Sequence, residues 1–195
     1  MHGSLKKSVI AAGAAVTIIA TAQAAPVLYG VSNAGGGGSE SQLLIIDQST
    51  GAVTNVGTGI GFGRISAIDF HPVTGILYAA GARAGDGSNV LLTIDKTSGV
   101  GTEIGATNIE SPPFISGQRN VAGMSFRNAD GALFGFVEPS DQVATLNIST
   151  GAAGLVGSNS VSGSGNGIAF NSGDTLYHAD EFDLHTVNQA TGDSM

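Results

Sequence analysis

The chain has no cysteine and no tryptophan, and only 5 prolines in 195 residues. Without cysteine there is no thiol nucleophile, no disulfide and no thiolate metal site. Charged residues are 11% of the chain, well below the usual quarter. Bases are the scarcer sign: 7 Lys and Arg stand against 15 Asp and Glu, a net charge of −8. A phosphate backbone is held by clustered Lys and Arg. Here Arg64, Arg83, Lys96, Arg119 and Arg127 are scattered singly. Nucleic acid is therefore excluded as a partner, and an anionic membrane surface with it. No G-x-S-x-G occurs, so a serine-hydrolase elbow is unsupported. Gly35–Gly38 and Gly59–Gly63 are glycine-rich, but neither gives G-x-G-x-x-G and no Gly-Lys-Ser/Thr exists. A phosphate cradle is excluded on that ground.

Glycine and small apolar residues are abundant. There are 31 glycines with no G-X-Y period, and apolar residues are 42% of the chain. Collagen and a disordered polyampholyte are both ruled out.

The first residues, Met1-His-Gly-Ser-Leu-Lys6-Lys7, carry two bases, and Ser8 to Thr21 carry no charge. Ala22-Gln23-Ala24 follows. A basic start, an apolar stretch and an A-x-A site are the order of a secretory signal peptide. The sequence predicts a signal peptide over 1–24, cleaved after Ala24. With Lys6 and Lys7 gone, five bases remain against fifteen acids. No cysteine follows the apolar stretch, so a lipid-anchored lipoprotein is excluded. The expected location is secreted, periplasmic or extracellular, with no membrane contact after cleavage. The rest, 25–195, is long enough to bury a substantial core.

That remainder repeats. Leu44-Ile-Ile-Asp-Gln-Ser-Thr-Gly51, Leu92-Thr-Ile-Asp-Lys-Thr-Ser-Gly99, Thr145-Leu-Asn-Ile-Ser-Thr-Gly151 and Thr186-Val-Asn-Gln-Ala-Thr-Gly192 align, at steps of 48, 52 and 41 residues. Six residues after the first three comes a second glycine: Gly57, Gly105 and Gly157. Two further elements interleave. One reads Ile65-Ser-Ala-Ile-Asp-Phe70, Val121-Ala-Gly-Met-Ser-Phe126 and Gly165-Asn-Gly-Ile-Ala-Phe170. The other reads Leu28-Tyr29, Leu77-Tyr78, Leu133-Phe134 and Leu176-Tyr177.

Each period thus holds four short runs rich in Val, Ile, Leu and Thr, separated by Gly, Asn, Ser and Thr. Such runs read as strands, and no segment after the leader carries a helical apolar period. The Thr-Gly and Ser-Gly pairs put glycine where a hairpin needs a positive φ. Asp47, Asp95, Asn147 and Asn188 sit where a side chain accepts from amides two residues on. His71-Pro-Val-Thr-Gly75, Asn128–Gly131 and Asn171–Asp174 read as the other turns. A copied four-stranded meander of this length is a β-propeller blade. The expected fold is all-β: a β-propeller-like array with units at 26–61, 62–110, 118–160 and 164–195. The strand count is fourteen, under four blades, so the array is open, truncated or completed by oligomerisation. The Tyr and Phe rings are expected between adjacent blades.

The pattern Leu-Tyr-x-Val, Ile-Asp-x-x-Thr-Gly and Val-Gly, with Ala-Ile-Asp-Phe-His-Pro-x-Thr-Gly-x-Leu-Tyr after it, resembles secreted bacterial β-propeller-repeat proteins of uncharacterised function. The resemblance is carried by Leu28–Val31, Leu43–Gly57 and Ile65–Tyr78 and recurs to Gly192. It implies a fold and no activity.

The densest polar run is His178-Ala-Asp180-Glu181-Phe-Asp183-Leu-His185. Its oxygen and imidazole donors could bind Ca²⁺ or a transition metal, but its spacing matches no known loop. Alignment places it in a solvated hairpin loop like Ser32–Ser41, Gly81–Asn89 and Val137–Gln142. His71 reads as a polar turn residue. Asp69, Asp180 and Asp183 could be nominated as a glycosidase pair, yet nothing selects them. The sequence therefore designates no catalytic, cofactor or metal residue. It points to a non-enzymatic module for binding or surface roles, facing an extracellular protein, a glycan or a second copy of itself. A metal-dependent propeller hydrolase, lactonase or lyase, and a truncated fragment of a longer propeller, are the alternatives.

Overall fold

A computed structural model describes residues 26–32, 40–117, 120–161 and 167–195. The leader, Gly35–Gly38 and Arg119 lie outside the described residues. Fourteen strands form four antiparallel sheets, each a meander in chain order. Blade 1 holds β1 (Leu28–Ser32), β2 (Gln42–Ile46) and β3 (Val53–Val56). Blade 2 holds β4 (Gly63–Phe70), β5 (Leu77–Ala82), β6 (Asn89–Ile94) and β7 (Gly101–Ala106). Blade 3 holds β8 (Asn120–Phe126), β9 (Leu133–Glu138), β10 (Gln142–Leu146) and β11 (Ala153–Ser158). Blade 4 holds β12 (Gly167–Phe170), β13 (Leu176–Ala179) and β14 (Leu184–Thr186). A bridge between Val187 and Ser194, with mutual amide bonds between Thr186 and Met195, begins a fourth strand there.

Strand period explains the core. Leu77 and Ala79 on β5 face blade 1, where they cluster with Leu43 and Val56. Tyr78 and Ala80 alternate with them and face blade 3, against Met124 and Phe126. Successive side chains point to opposite faces, so a middle strand between two blades must be apolar on both. Accordingly every residue of β5 is buried, as is all of β9 except Glu138. The hairpin loops are therefore shorter than the sequence suggests. Gly81 and Val137 are buried strand residues, and the loops shrink to 83–88 and 139–141.

Three parts build the joints between blades, the second of them at the joints of blade 2 with blade 3 and of blade 3 with blade 4. The first is an edge-to-face ring pair: Tyr29 on Phe70 at 5.6 Å, Tyr78 on Phe126 at 5.2 Å and Phe134 on Phe170 at 5.4 Å. Such pairs add about 0.5–1.5 kcal/mol beyond buried area. The second is polar and runs along the first strands, which pack β4 on β8 and β8 on β12. Asp69 Oδ2 accepts the Phe126 amide at 2.7 Å, and Ser125 Oγ accepts the Phe170 amide at 3.0 Å.

The third part is a glycine clasp. The glycine ending a blade's outer strand lies flat against the Thr-Gly or Ser-Gly turn of the next blade. A Cβ on Gly57 would collide with the Ser98 carbonyl, on Gly105 with Thr150, and on Gly157 with Thr191. The turn glycines press back: a Cβ on Gly99 would strike Val56, and one on Gly151 or Gly192 would strike Gly105 or Gly157. In blades 2 and 3 a register shift along the outer strand, at Leu91/Leu92 and Val143/Ala144, precedes the clasp. A bulge of this kind bends the strand, here toward the next blade.

Two substitutions separate the two demands on a turn glycine. Gly51 has φ +73° with nothing within 4 Å, whereas Gly151 has φ +82° and touches Gly105. Gly51→Ala should cost only the left-handed penalty, about 1–2 kcal/mol. Gly151→Ala should cost about 2–4 kcal/mol, because displaced backbone adds to it. Urea unfolding of both variants reads the difference. Tyr78→Ala, which empties one ring pair, should cost about 3–5 kcal/mol in the same assay.

Candidate functional site

An antiparallel meander puts its turns alternately on two rims, and here the rims differ. On one lie the turns within the first and last strand pairs of each blade. Six of them repeat one bonding pattern, in which the first residue donates to the carbonyl five on and accepts from the amide four on. These begin at Asp47, His71, Asp95, Arg127, Asn147 and Asn188. The seventh, at Asn171, is one residue shorter and closes through Asp174 at φ +58°.

Side chains lock this repeating rim. Asp47 Oδ1 accepts the Ser49 and Thr50 amides, both at 2.9 Å. Asp95 and Asn147 take the same two bonds in their turns, and Asn188 takes the first of them, from the Ala190 amide. His71 does so with Nδ1, accepting from Val73 at 3.2 Å and Thr74 at 3.3 Å. The Ser49 hydroxyl and neighbouring amides pull the Asp47 carboxyl down to about 2. Arg127 does the same for Asp130, also to about 2. An open depression of about 440 Å³ on blade 2 is lined by Thr74, Asp95 and Thr102. Lys96 also lines it, donating to the Gly75 carbonyl at 3.0 Å and lying 5.3 Å from the centre of the Phe70 ring.

The opposite rim varies from blade to blade. Its hairpin loops at 83–88, 139–141 and 180–183 differ in length and content, and so do the crossings at 57–62 and, in its described part, 107–117. In the first loop Arg83 bonds Asp86 at 3.1 Å and grips both carboxylate oxygens of Glu103. Glu110 reaches back to the amide and side chain of Asn89. Asp141 stands at φ +49° with its carboxyl pushed up by burial and then by Glu138.

The polar run near the C-terminus is not a solvated loop along its length, which corrects the sequence reading. His178 and His185 lie on β13 and β14, and only 180–183 form the loop. His178 is 0% exposed and its ring stacks on Phe136 of blade 3 at 4.4 Å and 14°. Its Nδ1 is 3.5 Å from Ser194 Oγ, which accepts from Asn159 Nδ2 at 2.7 Å. His185 Nε2 lies 3.3 Å from Asp180 Oδ2, at ion-pair distance but without hydrogen-bond alignment. Asp180 Oδ1 accepts the Phe182 and Asp183 amides, each at 2.7 Å, which with His185 hold its carboxyl below the usual range. Glu181, Phe182 and Asp183 are exposed, Phe182 at 82%. Among the described residues no three His, Asp or Glu side chains are placed to hold one metal ion.

Asp69, the other nominated carboxylate, accepts the Phe70 and Phe126 amides and belongs to a joint. It is not brought together with Asp180 or Asp183, which lie on a hairpin loop of blade 4. Phe136, Asn159 and Ser194, which surround His178, escape sequence reasoning. One signal was available: His178 occupies a repeat slot held by Gly30, Ala79 and Gly135 in the other blades.

No family model matches the chain, and no curated protein sequence does. Solved structures do. A protein of unknown function from Bacteroides thetaiotaomicron has TM-score 0.55 at 16% identity, over 80% of this chain and 38% of that one. The chain is an arc of β-propeller-like blades. An auxiliary nutrient binding protein from Bacteroides ovatus has TM-score 0.52 at 13% identity, over 80% of this chain and 36% of that one. The periplasmic gluconolactonase of Pseudomonas aeruginosa has TM-score 0.52 at 18% identity, over 82% and 49%. The arc thus spans less than half of each of these chains. No helix among the described residues is long and apolar enough to cross a membrane.

Burial pushes the His178 imidazole below its ordinary value, ahead of smaller effects from Asp180, His185 and Glu138. The unfolded chain therefore binds a proton that the folded chain resists. Stability from this group is full above about pH 6.5, the unfolded value, and is lost as pH falls through the folded value. Thermal melting between pH 8 and pH 5 should show that fall, and His178→Phe should flatten it.

Proposed function

We propose that this chain is an exported, non-enzymatic β-propeller-like module that binds an extracellular protein or glycan through its variable rim. The observation that carries this reading is the inequality of the rims. One rim repeats a single turn at six of its seven positions, most of them bonded by their own Asp, Asn or His side chain; on the other, the loop at 83–88 closes the same way, whereas those at 139–141 and 180–183 are shorter. The other keeps the strands and changes the loops, which is where a rigid scaffold places recognition. It also displays an aromatic ring: Phe182, flanked by two exposed carboxylates. Exposed rings are frequent anchors in binding surfaces because they cover large area with few rotamers. Export rests on the basic start, apolar stretch and A-x-A site of residues 1–24.

An array of glycans and a panel of extracellular-matrix proteins test the reading. Phe182→Ala should weaken the best binder about tenfold, roughly 1.4 kcal/mol, without changing the melting temperature. Val73→Ala, at an equally exposed residue on the repeating rim, should leave binding intact. Hydrolysis of gluconolactone in the presence of Ca²⁺, or loss of binding by Val73→Ala alone, would overturn the proposal.

A further inference from the structure

Blade 1 shows half of a joint three times over. In blades 2 to 4 the second strand is paired on both sides: β5 between β4 and β6, β9 between β8 and β10, β13 between β12 and β14. Among the described residues its counterpart β1 pairs only with β2. The residue that opens the second strand reports the difference. Leu77, Leu133 and Leu176 are buried, whereas Leu28 is 46% exposed. The turn glycines agree. Gly99, Gly151 and Gly192 each press on the preceding blade's clasp glycine, and Gly51 meets nothing within 4 Å. Beside that turn stands Val53, 56% exposed, in the slot where Gly101 and Ala153 donate their amides to Ile60 and Thr107 of the preceding blade.

The other joints show what fills such a surface. A single continuous segment supplies both halves: an outer strand ending in the clasp glycine, then a first strand ending in Phe. For blade 2 that segment is Val53–Phe70. Its Gly57 meets the Gly99 turn, and its Phe70 pairs with Leu77 on β5. The segments β7–β8 and β11–β12 do the same for blades 3 and 4. Among the described residues all three are engaged within their own chain, so the described part of a second folded copy has none to offer.

We propose that blade 1 is a docking surface for a second polypeptide that carries the same repeat. That polypeptide lays an outer-strand glycine on the Gly51 turn and pairs a Phe-ended strand antiparallel to β1, with Phe opposite Leu28. Strand addition to an open edge provides main-chain hydrogen bonds, and the Leu28 and Val53 side chains give the incoming strand apolar cover. The register follows the three internal examples, Phe70 on Leu77, Phe126 on Leu133 and Phe170 on Leu176. The inference rests on the repeat joints and is independent of what the variable rim binds.

A synthetic peptide copying residues 52–71 of this chain is the probe, and hydrogen exchange on the intact protein is the readout. The peptide should slow exchange of the β1 amides and of the Gly51 turn about tenfold or more. The peptide with Phe70→Ala should lose most of that protection. In the protein, Gly51→Ala should keep its fold and lose peptide protection at the turn. Protection absent from β1, protection indifferent to the Phe substitution, or equal protection along the Val187–Met195 edge would each overturn the proposal. A dimer seen by native mass spectrometry without peptide, with β1 already protected, would overturn it as well, because a second copy would then be the occupant.

Discussion

The structure depends on two backbones being allowed to touch. At each of the three joints an outer-strand glycine and a turn glycine leave no room for a Cβ between them. Ring pairs and apolar contacts tolerate some variation, and they vary: Tyr on Phe at two joints and Phe on Phe at the third. The glycine contact does not vary, because close-packed interiors have no slack for displaced main chain. It sets how near the blades sit, and so which side chains meet across the joint. The Thr-Gly or Ser-Gly pair with a second Gly six positions on therefore marks contacts between consecutive blades, the second Gly of one blade meeting the turn of the next. It is not a feature of one hairpin.

That constraint orders the polar chemistry. The residue before the first-strand Phe faces the next blade as Asp69 in blade 2 and Ser125 in blade 3, and in blade 4 the slot holds an exposed Ala169. Asp69 and Ser125 each accept the next blade's Phe amide. Carboxylates that could have served chemistry are instead acceptors for turns and joints. An unmade hydrogen bond at a buried amide costs about 1–3 kcal/mol, comparable with a clasp, so removing such an acceptor opens the joint as well. Of the variable rim, the hairpin loops bond largely within their own blade, as Arg83 with Asp86 and Asp180 with its own loop amides, while the crossings take part in the joints, Ile60 and Thr107 accepting the Gly101 and Ala153 amides.

The strand count, the meanders, the positive-φ glycines and the Asx turns are all legible in the sequence, since each is local: a period of two, a turn residue, an acceptor two residues on. The rings between blades are legible too, because Tyr29, Tyr78 and Phe134 recur in one slot. The clasp was visible as a repeat but not as a contact. Gly57 and Gly99 lie in different units, and spacing alone does not say which two of four copies touch. Loop lengths were overestimated for the same reason. Gly81 and Val137 resemble loop residues until a blade packs on either side and makes strand the only way to satisfy their buried amides. His178 was misplaced because its neighbours Asp180, Glu181 and Asp183 are polar, while the burial of its ring is decided by Phe136 on another blade.

The joint between blades 3 and 4 is the one that departs from the pattern. Where Val31 would meet Ala79, and Ala80 would meet Gly135, this joint stacks Phe136 on His178. In a repeat array stability is close to a sum of units and nearest-neighbour joints. Blades 2 and 3 have two joints each within the chain, and blades 1 and 4 have one. Placing the buried imidazole in the last joint makes the least supported blade answer to protons. Placing the open edge in the first makes the other end answer to strands. The joint between blades 2 and 3 is set apart from both, since it holds no fully buried imidazole and the second strands on either side of it are paired along both edges.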